Sequence, residues 1–565
     1  MILLNPKKLS PRYPDERSLQ VMARTVDFFE KKGKKRLLED AHQRVWYGDF
    51  LEFVKDEKIF ATLLTPPAYG GTDSRWDTFR NVAFNEILAF YGLPYWYTWQ
   101  VTTLGLGPIW MSGNEEAKRR AAELLKDGAV FAFGLSERQH GADIYSTEMT
   151  LTPQADGSYR ANGEKYYIGN GNVAPMISTF GKMVDSGEYV FFAADSTNPH
   201  FELLGNVVDS QQYVSAFALR NYPVSEADIL SKGREAWDAS LNTVNICKFN
   251  LGAASIGICT HAFYEAITHA ANRRLYGMCV TDFPHVKQMF TDAYARLVAM
   301  KLFTLRAADY VRVSSPNDRR YLLYNSVVKM KVTTQGVDVI ELLWDVIAAK
   351  GFEKDMYFER AAMEIHGLPR LEGTVHVNIA LILKFMANYF FNPAEYANIG
   401  QRSEPKHDDY LFRQGPTKGM GDIQFHDYNV AYSDWDLPNV NLFREQTAVF
   451  SEMLAAVPPD ESQSRDTDFL LTVGEIFTLV AYGQLILENA RIDDVPADIV
   501  DQMFDCFVRD FSKFALQLYS KPRCNPEQAG YCLNMIRKPA VDEERYERVW
   551  RDHVYALKGS YEMNP

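Results

Sequence analysis

The sequence predicts an α+β protein in which a helical region, a strand-rich region and a second helical region follow one another, with further helices at the carboxy end. Apolar residues recur at three- and four-residue spacing in residues 76–91, which is typical of a helix with one buried face. Between residues 128 and 235, short apolar runs such as 190–194 are separated by turn residues, which indicates strands. Helical spacing returns after residue 236, most clearly at Val286, Met289, Phe290 and Ala293.

These patterns divide the chain into five segments. We expect an amino-terminal helical domain at 1–127, a central β-domain at 128–235 and a helical domain at 236–394. Residues 395–440 carry several glycines, prolines and aspartates, and they are predicted to form a linker or extended loop. Helical spacing resumes at 441–565, which predicts an appended helical domain.

The composition is that of an ordinary soluble globular protein, with 47% apolar and 24% charged residues among 565. We find no run of about twenty uncharged apolar residues, so no membrane span is predicted. The amino terminus meets Pro6 too early for a secretory signal. The six cysteines form no Cys-x-x-Cys pair and no His/Cys group has ligand spacing. We therefore expect a cytoplasmic enzyme with reduced thiols and no metal site.

Negative charge is concentrated in the last third of the chain. The net charge is −13, and from residue 395 onward 17 Lys and Arg stand against 29 Asp and Glu, a net charge of −12. Such a surface repels nucleic-acid phosphates and anionic lipids. The simplest interpretation is a solvated acidic helical surface, and no nucleic-acid partner is expected.

The segment Glu372-Gly373-Thr374 is the best candidate for chemistry. Glycine lets the backbone approach a ligand closely, and the apolar neighbours Leu368, Leu371 and Val375 are suited to raising the basicity of a carboxylate. Glu372 is therefore a candidate general base.

Three segments upstream accompany this carboxylate. They are 133–143, which contains Ser136-Glu137 and Gly141-Ala142-Asp143, then 162–171, which contains Gly163-Glu164-Lys165 and Tyr167-Ile168-Gly169, and then Arg273-Arg274-Leu275-Tyr276-Gly277. In this order and at these distances, the four segments resemble the acyl-CoA dehydrogenase superfamily of flavoproteins. The resemblance covers roughly residues 20–394, about two-thirds of the chain.

The resemblance implies a fold and a reaction. It makes 236–394 a four-helix bundle, and larger family members also carry an appended helical region. The implied activity is FAD-dependent α,β-desaturation of an acyl-CoA, as in fatty-acid β-oxidation: Glu372 removes the α-proton and the β-hydrogen leaves as hydride to flavin N5. Lys248, where the family has arginine, and Gly373 are placed at the substrate. Some relatives carry the base at the position of Cys247, which is a poor base for this task.

The resemblance also implies a set of cofactor contacts. Ser136 and Gly141 would approach the flavin from one loop, and Tyr167 would pack on the ring. Arg273 would reach the FAD pyrophosphate of a neighbouring subunit, with Tyr276 beside the adenine. The remaining predicted contacts are Gly169, Thr374 and His376. The segment 345–351 departs from the family's glycine-rich loop, because alanines replace glycines that approach the FAD.

Several partners and alternatives stay open. The resemblance implies a homodimer or homotetramer, an acyl-CoA or acyl-carrier-protein substrate, and an electron-transfer flavoprotein as acceptor. An acyl-CoA oxidase that uses O₂ is the first alternative. A DNA-associated alkylation-response flavoprotein is disfavoured by the acidic carboxy end, because those proteins use a basic one. A flavin monooxygenase of the same fold is disfavoured because such enzymes usually lack the Glu-Gly-Thr base.

Overall fold

The protein is described by a computed structural model that covers residues 2–9, 13–400 and 404–565. The chain divides into two compact units, which we describe separately. The amino-terminal unit comprises Ser10–Asn250, Ser403–Lys418 and Met563–Pro565. The carboxy-terminal unit comprises Met1–Leu9, Leu251–Arg402 and Gly419–Glu562. The five-segment division stays a prediction; residues 395–440, predicted as one linker or loop, are divided between the two units.

The amino-terminal unit is a sheet flanked by helices. Its helices are α1 (Glu16–Lys32), α2 (Lys34–His42), α3 (Gly48–Asp56), α4 (Ile59–Leu64), α5 (Thr78–Tyr91), α6 (Leu93–Met111), α7 (Glu115–Lys126) and α8 (Gly233–Cys247). Its strands are β1 (Ala132–Gly134), β2 (Thr150–Pro153), β3 (Tyr159–Gly169), β4 (Ile177–Met183), β5 (Tyr189–Ala194), β6 (Phe201–Asn206), β7 (Val214–Val224) and β8 (Ile229–Lys232).

The eight strands form one sheet in the order β6-β7-β3-β2-β4-β5-β8, and β1 pairs in parallel with β4. The hairpin predicted at Asp156-Gly157 joins β2 to β3, and Gly157 has the positive φ (83°) that glycine tolerates. Alternating residues of the strands, including Ala161, Ile177 and Phe217, form a fully buried core.

The aromatic run at 91–99 is part of the helical core of the same unit. Trp96 and Trp99 on α6 are fully buried, and both indole N–H groups donate to the side-chain oxygen of Asn85 on α5, at 2.6 and 3.1 Å. A buried indole needs such a partner, so this asparagine fixes the register of α5 against α6.

The carboxy-terminal unit is almost entirely helical. Its helices are α9 (Asn250–Asn272), α10 (Pro284–Arg312), α11 (Tyr321–Val327), α12 (Thr333–Ile347), α13 (Tyr357–Gly367), α14 (Val375–Ile382), α15 (Met386–Phe391), α16 (Asn429–Ser433), α17 (Pro438–Ala456), α18 (Glu461–Ser464), α19 (Thr467–Ile492), α20 (Ala497–Tyr519), α21 (Pro526–Met535) and α22 (Glu543–Val549). A π-helical turn, Val328–Val332, connects α11 to α12, and a short hairpin of β9 (Arg274–Leu275) and β10 (Met278–Cys279) separates α9 from α10.

The appended helices pack directly on the bundle. The long helix α10 contacts α12 on one side and α19 and α20 on the other. Helix α19 also packs on α14, so closely that a Cβ atom at Gly474 would lie 2.3 Å from the side chain of Ile379. The predicted fold class, with helical ends, a central sheet and additional carboxy-terminal helices, is confirmed.

Helix α19 is long and apolar enough, by length and composition, to cross a membrane. Within the unit, however, 83% of its most apolar window is buried. Both properties are typical of the central helix of a large helical core, where a helix that is apolar on all sides packs against neighbours.

Buried ion pairs join α10 to the appended helices. The Arg296 guanidinium makes two hydrogen bonds to the Asp510 carboxylate, at 2.7 and 2.9 Å, and Arg306 donates to Glu488 at 2.8 Å. His426 Nε2 lies 2.9 Å from the same Glu488 carboxylate, while its Nδ1 lies 3.0 Å from Arg320.

This network holds Glu488 in its ionised form. Burial alone would raise the pKa of Glu488, but the hydrogen bond from His426 and the attraction of Arg306 lower it to about 2. A carboxyl whose pKa is depressed in the folded state contributes stability above its unfolded pKa, and that contribution is lost as the pH falls through the folded value. At about 1.4 kcal/mol per pKa unit, the contribution is roughly 3 kcal/mol.

We therefore expect the free energy of unfolding to fall by roughly 3 kcal/mol, through this group alone, as the pH decreases from about 4.5 towards 2. Urea unfolding across this range measures it. Glu488→Gln should be strongly destabilised at pH 7 and should show a flatter acid dependence, because it leaves Arg306 buried beside a neutral amide. Glu461→Gln, at an exposed pair with Arg465, is the control and should behave as the parent protein. Equal acid profiles for the parent and Glu488→Gln would refute this assignment.

Candidate functional site

In the amino-terminal unit, a buried ion pair shapes the loop that follows β1. The Lys165 ammonium on β3 donates to the Glu137 carboxylate at 2.7 Å and to the Leu135 carbonyl at 3.0 Å. Glu137 also accepts from the backbone N–H groups of Glu148 and Met149, at 2.7 and 3.2 Å. Burial lowers the pKa of Lys165 to about 8, although the Glu137 charge opposes this. The pair ties both ends of the loop to the sheet.

Glu137 and Lys165 belong to the motifs, but the sequence alone predicted no role for them. The ion pair could have been predicted from strand alternation, because Lys165 follows Ala161 and Gly163 at the inward-facing positions of β3. A lysine on the buried face of a strand needs an opposite charge.

A β-bulge presents Tyr167 to the outside. The pairing of β3 with β7 shifts register between Tyr166 and Ile168, and Tyr167 has a φ of 68°. Without the bulge, strand alternation would turn this odd-numbered residue inward like Lys165. Instead 45% of the Tyr167 side chain is exposed.

Ser136 lies beside this tyrosine. The backbone N–H of Tyr166 donates to the Ser136 carbonyl at 3.0 Å, so Ser136 is bound to the residue that precedes Tyr167. Gly141 is exposed farther along the same loop. There the His140 ring nitrogen Nδ1 lies 2.9 Å from the Asp143 carboxylate, which is consistent with Asp143 fixing the loop.

Gly169 has a packing role. A Cβ atom at this position would lie 2.7 Å from both Tyr97 and Val101 on α6, so a side chain would separate the sheet from the helix. The cofactor contact of Gly169 stays a prediction.

Lys248 and Cys247 are both buried at the end of α8. The Gln100 side chain donates to the Cys247 carbonyl at 2.9 Å, which anchors this end of the helix. The substrate contact predicted for Lys248 stays a prediction.

In the carboxy-terminal unit, Glu372 lies in the tight turn between α13 and α14. It is a non-glycine residue with positive φ (53°), and Gly373 follows with a φ of 91°. Such a conformation costs on the order of 1–3 kcal/mol and persists when its surroundings enforce it. The Asn378 side-chain amide holds the turn by donating to the carbonyls of Gly373 and Thr374, at 3.2 and 3.0 Å.

Beneath this turn lies a buried lysine that sequence reasoning missed. Lys329, on the π-helical turn, is fully buried, and its ammonium donates to the Leu368 carbonyl at 2.7 Å. Burial lowers the pKa of Lys329 to about 8, and the Glu372 charge counteracts the shift. Of the apolar neighbours predicted for this turn, Leu368 is buried, and the charge of Lys329 acts on the carboxylate as well.

The remaining predicted residues of the turn are more exposed. Thr374 caps α14, its hydroxyl oxygen accepting from the Val377 N–H at 3.4 Å. His376 is exposed on the first turn of α14. Their predicted cofactor contacts stay predictions.

Arg273 and Tyr276 lie in a different part of this unit, at the hairpin between α9 and α10. Both are exposed, Tyr276 to 94%, and Tyr276 has a positive φ of 52°. The hairpin therefore presents an arginine and an aromatic ring to the surroundings of the unit, as a contact to a second subunit requires.

The altered segment at 345–351 keeps an unusual backbone. Ala348 has a φ of 58°, a conformation that favours glycine, and it follows directly on α12. Gly351 is buried against Trp344, where a Cβ atom would lie 2.4 Å from the indole nitrogen. The turn thus retains a glycine-like conformation although alanine occupies it.

Within the described parts of the chain, two acidic clusters have ligand atoms close enough for a cation, but in each cluster one carboxylate already pairs with a lysine or arginine. In one of them, Glu137 binds Lys165 as described above. In the other, Asp292 accepts two hydrogen bonds from Arg509, at 2.8 and 2.9 Å. The expectation of a metal-free protein stays a prediction.

A cavity of about 790 Å³ lies elsewhere in the carboxy-terminal unit, between α10, α19 and the segment 393–399. Arg306, His426 and Glu488 line it, and the first two both bind Glu488. The cavity therefore borders the ion-pair network rather than the Glu372 turn.

Comparison with known proteins assigns the helical region to a family. Residues 235–387 match the family model of the acyl-CoA dehydrogenase C-terminal domain. Among curated relatives, the short-chain-specific acyl-CoA dehydrogenase of Megasphaera elsdenii is 24% identical over 55% of this chain and 85% of its own length. An acyl-CoA dehydrogenase of Bacillus subtilis is 24% identical over 50% of this chain and 76% of its own.

Solved structures extend the similarity in fold. An acyl-CoA dehydrogenase from Bacillus anthracis, solved in complex with FAD, has a TM-score of 0.76 at 15% identity and covers 98% of this chain and 97% of its own. Butyryl-CoA dehydrogenase from Megasphaera elsdenii has a TM-score of 0.58 at 20% identity over 65% of this chain and 97% of its own. The Bacillus anthracis structure therefore matches the appended helices as well. The family-model match at 235–387 and the curated relatives confirm the resemblance of this chain to the acyl-CoA dehydrogenase superfamily.

Proposed function

We propose that this protein is an FAD-dependent dehydrogenase that introduces an α,β double bond into an acyl thioester, with Glu372 as the base. The observation that carries the proposal is the Glu372 turn. A carboxylate is held there at positive φ, next to glycine, above a buried cation. Strain of this kind clusters at functional sites. The superfamily's reaction needs a carboxylate base, and the other position used by relatives is occupied here by Cys247.

The residues of the amino-terminal unit fit a flavin. The bulge in β3 holds a half-exposed tyrosine ring, and the buried Glu137–Lys165 pair fixes the neighbouring loop that carries Ser136. An aromatic face beside polar groups of a loop suits a planar, heteroatom-rich ring. When bound, FAD supplies the acceptor for the hydride. Tyr167, Ser136 and Gly141 would hold it from this unit, and Arg273 and Tyr276 of a second subunit would hold its pyrophosphate and adenine.

Glu372 would remove the α-proton of the thioester. An α-proton is weakly acidic, so its removal needs a well-placed base and preorganised donors for the negative charge that develops on the thioester oxygen. The backbone N–H of Glu372, with that of Gly373 adjacent, would supply protein donors in the turn. Lys248 would contact the substrate.

The identity of the electron acceptor distinguishes the two candidate functions, dehydrogenase and oxidase. An electron-transfer flavoprotein makes the protein a dehydrogenase, whereas O₂ makes it an oxidase. One solved structure of similar fold is a prolyl acyl-carrier-protein oxidase, with a TM-score of 0.55 at 21% identity over 66% of this chain and 99% of its own. The alternative function is therefore an oxidase, and its substrate could be carried by an acyl-carrier protein instead of CoA. We favour the dehydrogenase with an acyl-CoA substrate, because curated relatives that match 50–55% of this chain are acyl-CoA dehydrogenases.

The first test replaces the base. Glu372→Gln should retain FAD but lose anaerobic bleaching by acyl-CoA by orders of magnitude, because an amide cannot accept the α-proton. Stopped-flow absorbance measures the bleaching with acyl-CoAs of different chain length. Glu544→Gln, at a side chain that is 93% exposed, is the matched control and should bleach like the parent. A normal rate in Glu372→Gln would exclude Glu372 as the base.

The second test concerns the neighbouring subunit. Arg273→Ala should lower FAD occupancy and weaken assembly together, since Arg273 is proposed to bind the pyrophosphate across a subunit interface. The absorbance ratio of flavin to protein and sedimentation velocity measure the two effects. Arg274→Ala, at the adjacent exposed arginine of β9, is the control and should have a smaller effect. A monomeric parent protein with full FAD occupancy would contradict the proposal.

The third test concerns the acceptor. Turnover with acyl-CoA should be fast with an artificial or flavoprotein acceptor and slow with O₂, because a site that excludes water disfavours the formation of charged superoxide. Dye reduction and hydrogen peroxide release are measured side by side. Stoichiometric peroxide at a rate equal to that with the dye would establish the oxidase instead.

A further inference from the structure

We propose that Lys329 is a positioning residue for Glu372: its buried ammonium holds the turn that carries the carboxylate and supplies a positive charge to its surroundings. The inference rests on the proposed function only in assigning Glu372 as the base. The pairing itself is a property of the carboxy-terminal unit and is testable without turnover.

The Lys329 ammonium is hydrogen-bonded to the segment that leads into the Glu372 turn. Helix α13 ends at Gly367, and the Leu368 carbonyl, four residues before Glu372, accepts the Lys329 hydrogen bond at 2.7 Å. The Arg370 and Leu371 N–H groups both donate to the Gly367 carbonyl, at 2.9 and 3.1 Å. Glu372, with its positive φ, follows directly after this turn. A change in the position of Leu368 would therefore move Glu372.

The electrostatics of the site give the lysine a second effect. Lys329 is fully buried, and the negative charge of Glu372 raises its proton affinity against the effect of burial. The attraction between two charges is mutual, so the ammonium favours the ionised form of Glu372 by the same interaction. A base must be ionised to accept a proton, so this effect extends the working range of the enzyme towards lower pH.

Other charged groups lie on the elements around this turn: Lys331, Glu475, His366, Arg370 and His376. Lys331 faces Asp510 at 3.9 Å, and the pKa of Glu475 is raised by burial despite the attraction of Lys331 and Lys513. His366 binds Glu341 at 3.1 Å, while Arg370 and His376 are exposed. Unlike these groups, Lys329 is a fully buried cation that interacts electrostatically with Glu372.

The π-helical turn explains why the lysine can reach this position. The backbone of Val328–Val332 is wound more widely than an α-helix, and insertions of this kind occur frequently at functional sites. Both lysines of the turn are buried, yet Lys329 faces the Leu368 carbonyl and Lys331 faces Asp510. Lys331 therefore offers a matched control from the same turn.

The first experiment measures the pH dependence of kcat/KM for acyl-CoA in the FAD-loaded enzyme. In Lys329→Met, the acidic limb should move upward by on the order of one pH unit, so that kcat/KM on that limb falls about tenfold. Lys329→Gln keeps an N–H donor for Leu368 but removes the charge, and it should show the same shift. Lys331→Met should leave the limb in place. An unchanged limb in Lys329→Gln would overturn the electrostatic effect.

The second experiment is a double-mutant cycle of thermal midpoints at pH 7 with Lys329→Gln, Glu372→Gln and the double variant. Lys329→Gln should lower the midpoint more in the parent background than in the Glu372→Gln background, because in the latter the carboxylate is already lost. Additive shifts would overturn the pairing. If the parent desaturates no acyl thioester, the proposed function fails, whereas a non-additive cycle still establishes the Lys329–Glu372 pair.

Discussion

A buried charge needs an opposite charge or a hydrogen bond close to it, and this constraint organises both units of the protein. In the amino-terminal unit, the Glu137–Lys165 pair ties a loop to the sheet. In the carboxy-terminal unit, Arg296–Asp510 and Arg306–Glu488 bind α10 to the appended helices. Removing one member of such a pair leaves the other buried and uncompensated, so each pair also makes its two elements depend on one another.

The appended helices belong to the same packed unit as the bundle. Helix α19 lies against α14, where Gly474 and Ile379 are in close contact, and α14 begins directly after the Glu372 turn. The extension therefore supports, through one layer of packing, the segment that carries the proposed base. The solved structure that covers 98% of this chain has the same overall fold, which shows that this arrangement of bundle and extension recurs.

Four of the nine non-glycine residues with positive φ in the described parts of the chain lie in segments with a proposed function. Tyr167, Tyr276, Ala348 and Glu372 are non-glycine residues with positive φ, and each lies in a segment for which the resemblance implies a ligand or substrate contact. Such conformations cost on the order of 1–3 kcal/mol each, so the surrounding packing and hydrogen bonds must enforce them. At Glu372 the amide of Asn378 and the ammonium of Lys329 do so from opposite ends of the turn.

The sequence by itself determined the order of helices and strands, the hairpin at Gly157 and the superfamily, because periodicity, turn residues and spaced motifs are local properties of a chain. It could not determine that Tyr167 points outward, since a bulge reverses the alternation of β3, or that residues 395–440 contribute to both units. Nor could it identify Lys329, which lies 43 positions before Glu372 in a segment that reads as a plain helix. Only tertiary packing brings that lysine beneath the turn, because the partner of a buried charge is chosen by proximity in space rather than along the chain.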